Sequence, residues 1–528
     1  MHGHFLHGNR ETREAPRLSA GGRGDASVKE QSRRTDVDAT RESDGAVVPK
    51  MSSNNGIPVP AETAEERAST KRNVDQKAAR ASQHGERASI GLAGVRQKAI
   101  EDRMLRFTNL KHHLTPELLW ASFYRLNRHA APGLDGMRWS DYAKDLDSRL
   151  ADLHDRLRTE RYRATPVLRT YIAKTNGGQR PLGKTCVEDK IVQQAVVTVL
   201  MAVYDADMYG FSYGFRPEKS PHMALDALAV AISRRKVNWI VDADVQSFFD
   251  EIPHDELLRL IDLRIGDRWL QRLILKWLKT GYSEEGVIHR SNRGTPQGSV
   301  ISPLLANIYL HYVLDDWVHH RRKTVDEGDV AIVRYADDFV LGFQHRHVAE
   351  AYLIALRERF AAFGLRLHPD KTRLLEFGRY ASSDRRRRGQ GKPETFDFLG
   401  FTHICSTNRK GWFLLRRHTV RTRLRRKVKE VLENLRKRMH RPVHETGGWL
   451  GSIIRGFVNY YGVPTNNSAI SAFRDLLAKE WIKVLRRRSQ KGRGMTWVKH
   501  RQIVDRYLPH ARICHPFPNV RFDARYSR

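Results

Sequence analysis

The stretch VAIVRYADDFVLGF, residues 330–343, consists of two apolar runs separated by Tyr335-Ala336-Asp337-Asp338. Short runs rich in valine and isoleucine read as strands, so the segment predicts a hairpin with both carboxylates at its bend. An aspartate pair alone proves little, because Asp is common at turns and helix starts for hydrogen-bonding reasons. A second pair, Asp315-Asp316 inside YLHYVLDDWVHH, sits in a helical pattern that would turn adjacent side chains about 100° apart. That pair reads as solvated helix surface.

Upstream, NWIVDADV at 238–245 reads as a strand entering a turn, with Asp244 at its end. If the two strand regions are neighbours, Asp244, Asp337 and Asp338 meet. Clustered hard oxygen donors suit magnesium, which takes its remaining ligands from water and substrate phosphates, so two or three aspartates suffice. HDELLRLIDLRI follows as a helix with acidic residues in its first turn, as the helix dipole favours. VLRTYIAKTNGGQRPLG reads as two short strands joined around Asn176-Gly177-Gly178. Strand-like and helical patterns alternate through the middle of the chain, which makes the fold class α+β.

From about Arg421 the pattern is helical. Leu424, Val428, Val431, Leu432, Leu435 and Met439 form one apolar stripe, and ten Lys or Arg accompany two Glu between Arg421 and Pro442. That density suits an RNA backbone held through its phosphates. Phe457, Tyr460 and Tyr461 have helical spacing and read as core. The whole chain agrees: 93 Lys plus Arg against 60 Asp plus Glu give a formal charge of +33, a balance suited to a polyanion. No run of eighteen or more apolar residues suggests a membrane span, and the most apolar stretch, Ala195 to Val203, is short. Cys186, Cys405 and Cys514 are far apart and suggest neither a disulfide framework nor a cysteine zinc site. Residues 1 to about 100 contain one aromatic, Phe5, and read as a disordered polar arm, with folded structure beginning at Met104. The start lacks the apolar stretch of a secretory signal, so a cytoplasmic protein is expected.

Eight blocks in order resemble those of reverse transcriptases encoded by bacterial group II introns, often called intron maturases. They are APGLDG, RPLGKTCVEDKIVQQAV, FSYGFRPEKSPHMAL, VDADVQSFFDEIPHDELL, GTPQGSVISPLLANIYLH, VRYADDFVLGF, LRLHPDKTRLLEFG and FDFLGFTH, and the resemblance extends from about 104 to 518. It implies a right-hand polymerase. Fingers and palm would span 104–405 and an all-helical thumb and maturase domain 406–518, with a disordered arm over 1–103 and a tail over 519–528. The implied reaction is RNA-directed DNA synthesis by two-metal nucleotidyl transfer, with magnesium on Asp244, Asp337 and Asp338 and Asp242 left structural.

The resemblance further implies that Phe249 packs under the incoming sugar and favours deoxynucleotides, and that Lys174 and Arg180 hold the triphosphate, with Arg169 a weaker candidate. Gln297 would sit against the templating pair and Lys371 near the leaving pyrophosphate. Implied partners are the intron RNA, an RNA template with a DNA primer, deoxynucleoside triphosphates and target DNA, with no membrane. A domain for DNA cleavage is not expected. The alternatives are a reverse transcriptase of another bacterial system and an RNA-binding splicing factor without polymerase activity. Gly178-x-x-x-x-Gly183-Lys184-Thr185 formally matches a phosphate-binding loop, but Arg180-Pro181 falls inside it and the surrounding block already fits a polymerase.

Overall fold

The two apolar runs at 330–343 pair with each other in a computed structural model that describes residues 91–173, 178–290, 292–324 and 327–526. They form part of a four-stranded antiparallel sheet. Strands β1 (Val167–Ala173), β2 (Gln179–Lys184), β3 (Trp239–Ala243), β4 (Tyr282–Glu284) and β5 (Val287–His289) are followed by β6 (Val330–Tyr335), β7 (Asp338–Phe343) and β8 (Arg373–Glu376). A last group is β9 (Phe396–Phe398), β10 (Phe401–Thr407) and β11 (Phe413–Thr419). The central sheet has the order β6-β7-β3-β8, a first sheet β2-β1-β4-β5 precedes it, and a third is ordered β11-β10-β9.

Helices cover the central sheet. The helix Arg346–Ala362 packs on β3 and β7 and Pro221–Arg234 on β6; the helices named below are α1 (Val187–Asp207), α2 (Pro221–Arg234), α3 (Phe248–Glu251), α4 (Ser302–Leu310), α5 (Arg421–Lys437), α6 (Val443–Tyr461), α7 (Asn467–Arg487) and α8 (Pro518–Arg525). The apolar stretch Ala195 to Val203 lies within α1, whose Val196, Val199 and Leu200 are fully buried in the core. Strand β6 is buried on both faces along Val330 to Arg334, which explains its continuous apolar pattern.

Four features bear on the sequence expectation. Residues 91–101 are helical, with Leu92, Val95 and Ala99 buried in the main core, so folded structure begins before Met104. Those residues repeat at helical spacing, and three aliphatic anchors suffice without aromatics. Within the expected tail 519–528, whose residues 527 and 528 lie outside the described parts, α8 lies against α2, where Arg521 pairs with the buried Asp226 and Arg234 binds Asp523 through two hydrogen bonds of 2.7 and 2.5 Å. The formal phosphate-loop match falls largely on β2, and an extended strand cannot wrap its amides around a phosphate.

The fourth concerns Asp315, where the structure departs from the reading. His311–Asp315 forms a π-turn, in which the Asp316 amide bonds back five residues to the His311 carbonyl. One extra residue in the turn rotates Asp315 inward. It is fully buried and ion-paired with Arg334, while Asp316 accepts from the Tyr209 hydroxyl at 2.7 Å. Asp315 is therefore not solvated surface, whereas Asp316 remains partly exposed.

After β11 the chain is helical from Arg421 onward, so the expected division at 405/406 falls inside β10. Val431 and Leu435 of the α5 stripe are buried against α6 and α7, leaving Arg421, Arg423, Arg425, Arg426, Lys429, Arg436 and Lys437 exposed. Phe457 stacks on Phe473 at 4.0 Å, and the Tyr460 hydroxyl donates to the Leu399 carbonyl at 2.9 Å, so these aromatics are core. Among the described residues no disulfide forms; Cys186 is buried and Cys514 exposed.

Candidate active site

Register brings the carboxylates together. Strand β3 pairs antiparallel with β7, with Ala243 opposite Phe339. Asp244 follows Ala243 and Asp338 precedes Phe339, so the two aspartates stand at matching positions where the strands leave the sheet. In the β6–β7 hairpin Tyr335 pairs with Asp338, leaving Ala336 and Asp337 as a two-residue turn. Ala336 has φ +59°, a left-handed conformation found at the first position of the tight turns that match strand twist. Gly214 packs on that turn: a β-carbon there would lie 2.2 Å from the Ala336 nitrogen.

Burial first, and then the neighbouring charges of Asp337, Asp242 and Asp244, push the Asp338 carboxyl up to about 7. Crowded negative charge of this kind is what a divalent cation relieves. Among the described residues no group of three His, Cys, Asp or Glu side chains is already drawn close enough to hold a metal. An open set of two or three carboxylates nevertheless fits magnesium, which keeps water and substrate oxygens in its shell. Asp242 lies on the same strand face as Asp244 and accepts from Arg373 across the β3–β8 ladder at 3.0 Å, in keeping with a structural role.

Lys371 reaches the site because the segment before it runs alongside the residues after β3. Val245 bridges Leu367, and the amides of Gln246 and His368 bond to Arg366 and Asp244 carbonyls at 2.9 and 2.8 Å. Its ammonium donates to Asp244 Oδ2 at 2.6 Å. Helix α3 separates two adjacent phenylalanines: Phe248 is 3% exposed in the core, while Phe249 is half-buried beside it, edge to face at 5.5 Å.

The loop at 294–298 sits on α3, with the Thr295 amide donating to the Phe249 carbonyl at 2.7 Å. The Gln297 side-chain amide donates to the Asp250 carboxylate at 3.2 Å. The loop also meets β2, where the Gly183 amide donates to the Gln297 carbonyl at 2.5 Å. Thus Asp244, Asp338 and Lys371 share one end of the central sheet, and Phe249 and Gln297 are tied together through α3. Arg180 belongs to β2 and pairs in register with Ile172, its side chain lying outside the described parts, and Lys174 lies outside the described residues. Arg169 is fixed elsewhere, its guanidinium 3.2 Å from the centre of the Tyr282 ring.

Two residues, Arg334 and Asn307, escape the sequence reading, and a third, Asp315, is misread by it. Arg334, Asn307 and Asp315 form a buried polar group beneath the hairpin turn. The available signal is a lone arginine inside an otherwise apolar strand.

An antiparallel sheet with carboxylates at a hairpin turn and at the adjoining strand end defines a class of protein suited to metal-assisted phosphoryl chemistry. Residues 172–403 match the sequence family described as reverse transcriptase (RNA-dependent DNA polymerase). Protein YkfC of Escherichia coli (strain K12) is 32% identical over 314 residues, covering 52% of this chain and 81% of YkfC. The group II intron-encoded protein LtrA of Lactococcus lactis subsp. cremoris is 36% identical over 222 residues, covering 42% of this chain and 37% of LtrA. An uncharacterized 91 kDa protein in a cob intron of Schizosaccharomyces pombe is 36% identical over 219 residues, covering 40% of this chain and 26% of that protein. The match thus spans little more than a third of LtrA's length. The chain belongs to the group II intron-encoded reverse transcriptases, a family of RNA-directed DNA polymerases. Among the described residues no helix is long and apolar enough to cross a membrane.

Proposed function

We propose that this chain extends a DNA primer on an RNA template with Asp244, Asp337 and Asp338 as magnesium ligands, and that its basic helices bind group II intron RNA to assist splicing and retrohoming. The observation that carries the reading is the β3–β7 register, which leaves Asp244 and Asp338 side by side at the end of the sheet. Magnesium, when bound, supplies activation of the primer hydroxyl and charge stabilisation of the leaving pyrophosphate. In this reading the first sheet is the fingers, the central sheet the palm and the helices from Arg421 the thumb.

The protein's own groups do the positioning. Phe249, standing on the firmly packed Phe248, presents a ring edge where a ribose 2′-hydroxyl would clash. Gln297, steadied by Asp250, offers its amide to the templating pair, while Lys174, Arg180 and Lys371 meet the triphosphate as cations. Deoxynucleoside triphosphates, the RNA template, the primer, the intron RNA and target DNA are the proposed partners, in the cytoplasm.

Primer extension on poly(rA) tests the site. Synthesis should require magnesium and collapse in Asp337→Asn, whereas retained synthesis in that variant would overturn the assignment. The splicing role is tested separately by the flanking DNA. A flank unable to fold as a group II intron removes that role and leaves the polymerase intact.

A further inference from the structure

Arg334 is the residue before Tyr335 in β6, and its guanidinium is fully buried. Its Nε donates to Asp315 Oδ1 at 2.7 Å, and Nη2 donates to Ser212 Oγ at 2.7 Å and to the second Asp315 oxygen. Its Nη1 donates at 2.9 Å to Asn307 Oδ1 and at 2.9 Å to the carbonyl of Ala336. The last acceptor belongs to the two-residue turn itself, one residue before Asp337.

Stability gives little reason for this arrangement. Burying a guanidinium is costly even when it is paired, and apolar side chains of similar volume often serve a core at least as well. What a valine or leucine cannot do is hold a carbonyl oxygen. The turn needs holding, because a non-glycine residue in the left-handed region is strained and Ala336 adopts it. Two restraints act on it. Gly214 closes against the Ala336 nitrogen, and Arg334 holds the Ala336 oxygen. Asn307 joins the two, since its Nδ2 donates to the Gly214 carbonyl at 2.5 Å while its Oδ1 accepts from Arg334. The π-turn at His311–Asp315 delivers the counter-charge from a third direction.

We infer that Arg334 is a positioning residue for DNA synthesis: by binding the Ala336 carbonyl from below, it fixes the turn that aims Asp337 and Asp338. The inference rests on the assignment of those aspartates as magnesium ligands. Arg334→Lys keeps a charge for Asp315, but an ammonium on a flexible stem cannot span five acceptor atoms on four residues.

The experiment compares wild type, Arg334→Lys, Asn307→Asp and Asp337→Asn in primer extension across a magnesium titration, alongside primer–template affinity and thermal melting. Asn307→Asp keeps the acceptor for Arg334 and removes the donor to Gly214. Arg334→Lys should keep primer–template affinity within about twofold, lower kcat by roughly tenfold to a hundredfold and raise the magnesium concentration giving half the maximal rate. Asn307→Asp should move the same two quantities in the same direction by a smaller factor.

Unchanged kcat and magnesium dependence in Arg334→Lys overturns the inference, as does a loss of synthesis that only follows the folded fraction. If Arg334→Lys does not fold, Asn307→Asp decides by the same criteria. Asp337→Asn separates the two levels: if it is inactive while Arg334→Lys behaves as wild type, only the positioning role fails, and if it is active, the metal-ligand assignment fails.

Discussion

The amide of Gly183 donates to the carbonyl of Gln297 at 2.5 Å, so a strand of the first sheet rests directly on the loop that faces α3. The contact is too close for a side chain. A β-carbon on Gly183 would lie 2.4 Å from Val167 Cγ1 and 3.0 Å from the Gln297 carbonyl oxygen. Gly183→Ala should therefore cost about 1–3 kcal/mol of stability through overpacking and displace Gln297. Steady-state kinetics should show a raised KM for deoxynucleotides with a smaller change in kcat. An unchanged KM would mean that this contact does not shape the nucleotide pocket.

Lys371 competes with any cation for Asp244 Oδ2, which it holds at 2.6 Å. Lys371→Met should free that carboxylate, so half-maximal activation should need less magnesium, while synthesis slows if Lys371 meets the pyrophosphate as proposed. The two readouts should move in opposite senses. A variant that needs more magnesium would show that Lys371 supports the cation site.

The adjacent phenylalanines should separate by phenotype. Phe248→Ala removes a core side chain and should cost about 3–5 kcal/mol in denaturant unfolding. Phe249→Ala should fold and incorporate ribonucleotides more readily than wild type, measured as the ratio of kcat/KM for the two sugars. Unaltered sugar discrimination would count against the steric gate.

Acid should destabilise the fold through buried histidines. Burial, followed by the charge of Arg334, lowers His311 to about 3, and burial with Arg417 lowers His403 to about 3. An unfolded histidine titrates near 6.5, so between about 6.5 and 3 the unfolded chain binds more protons. The histidine contribution is intact above pH 6.5 and should be lost as pH falls, at roughly 1.4 kcal/mol per pH unit for each group. His403→Phe, which keeps a ring stacked on Phe396, should flatten the acid limb of unfolding free energy against pH. An identical slope would show that His403 takes up its proton as readily in the fold as in the unfolded chain.

Exposed Arg425 and Arg426 of α5 test the RNA surface. Changing both to Gln should weaken RNA binding at low salt and reduce the slope of log K against log salt by about 1 to 2. A slope equal to wild type would move the RNA contact elsewhere.

The hairpin at 330–343 is legible in sequence because both strands are apolar and only the bend is charged. The meeting of Asp244 with Asp338 is not, since it depends on β3 inserting between β7 and β8, a long-range pairing that no local pattern encodes. Asp315 misleads because the helix geometry assumed for it gives way to a wider turn, which redirects every side chain after the inserted residue. Its partner Arg334 carries the better signal, a full charge that ends a run of buried apolar strand residues. The helix at 91–101 hides in polar company, with Leu92, Val95 and Ala99 its anchors. For α8 the core gives no sign at all, because none of its residues is buried and charge pairs hold it in place.

Those charge pairs also set an order of events during synthesis of the chain. Asp226 is 2% exposed and is met by Arg417 at 3.2 Å and by Arg521. Translation delivers the acid first and the second arginine 295 residues later. A nascent chain thus carries an incompletely neutralised acid in its middle until α8 arrives, and a product terminated early leaves Asp226 half served. Full neutralisation of this buried acid therefore waits on α8, so the packing around α2 matures only after a segment 295 residues downstream has been made.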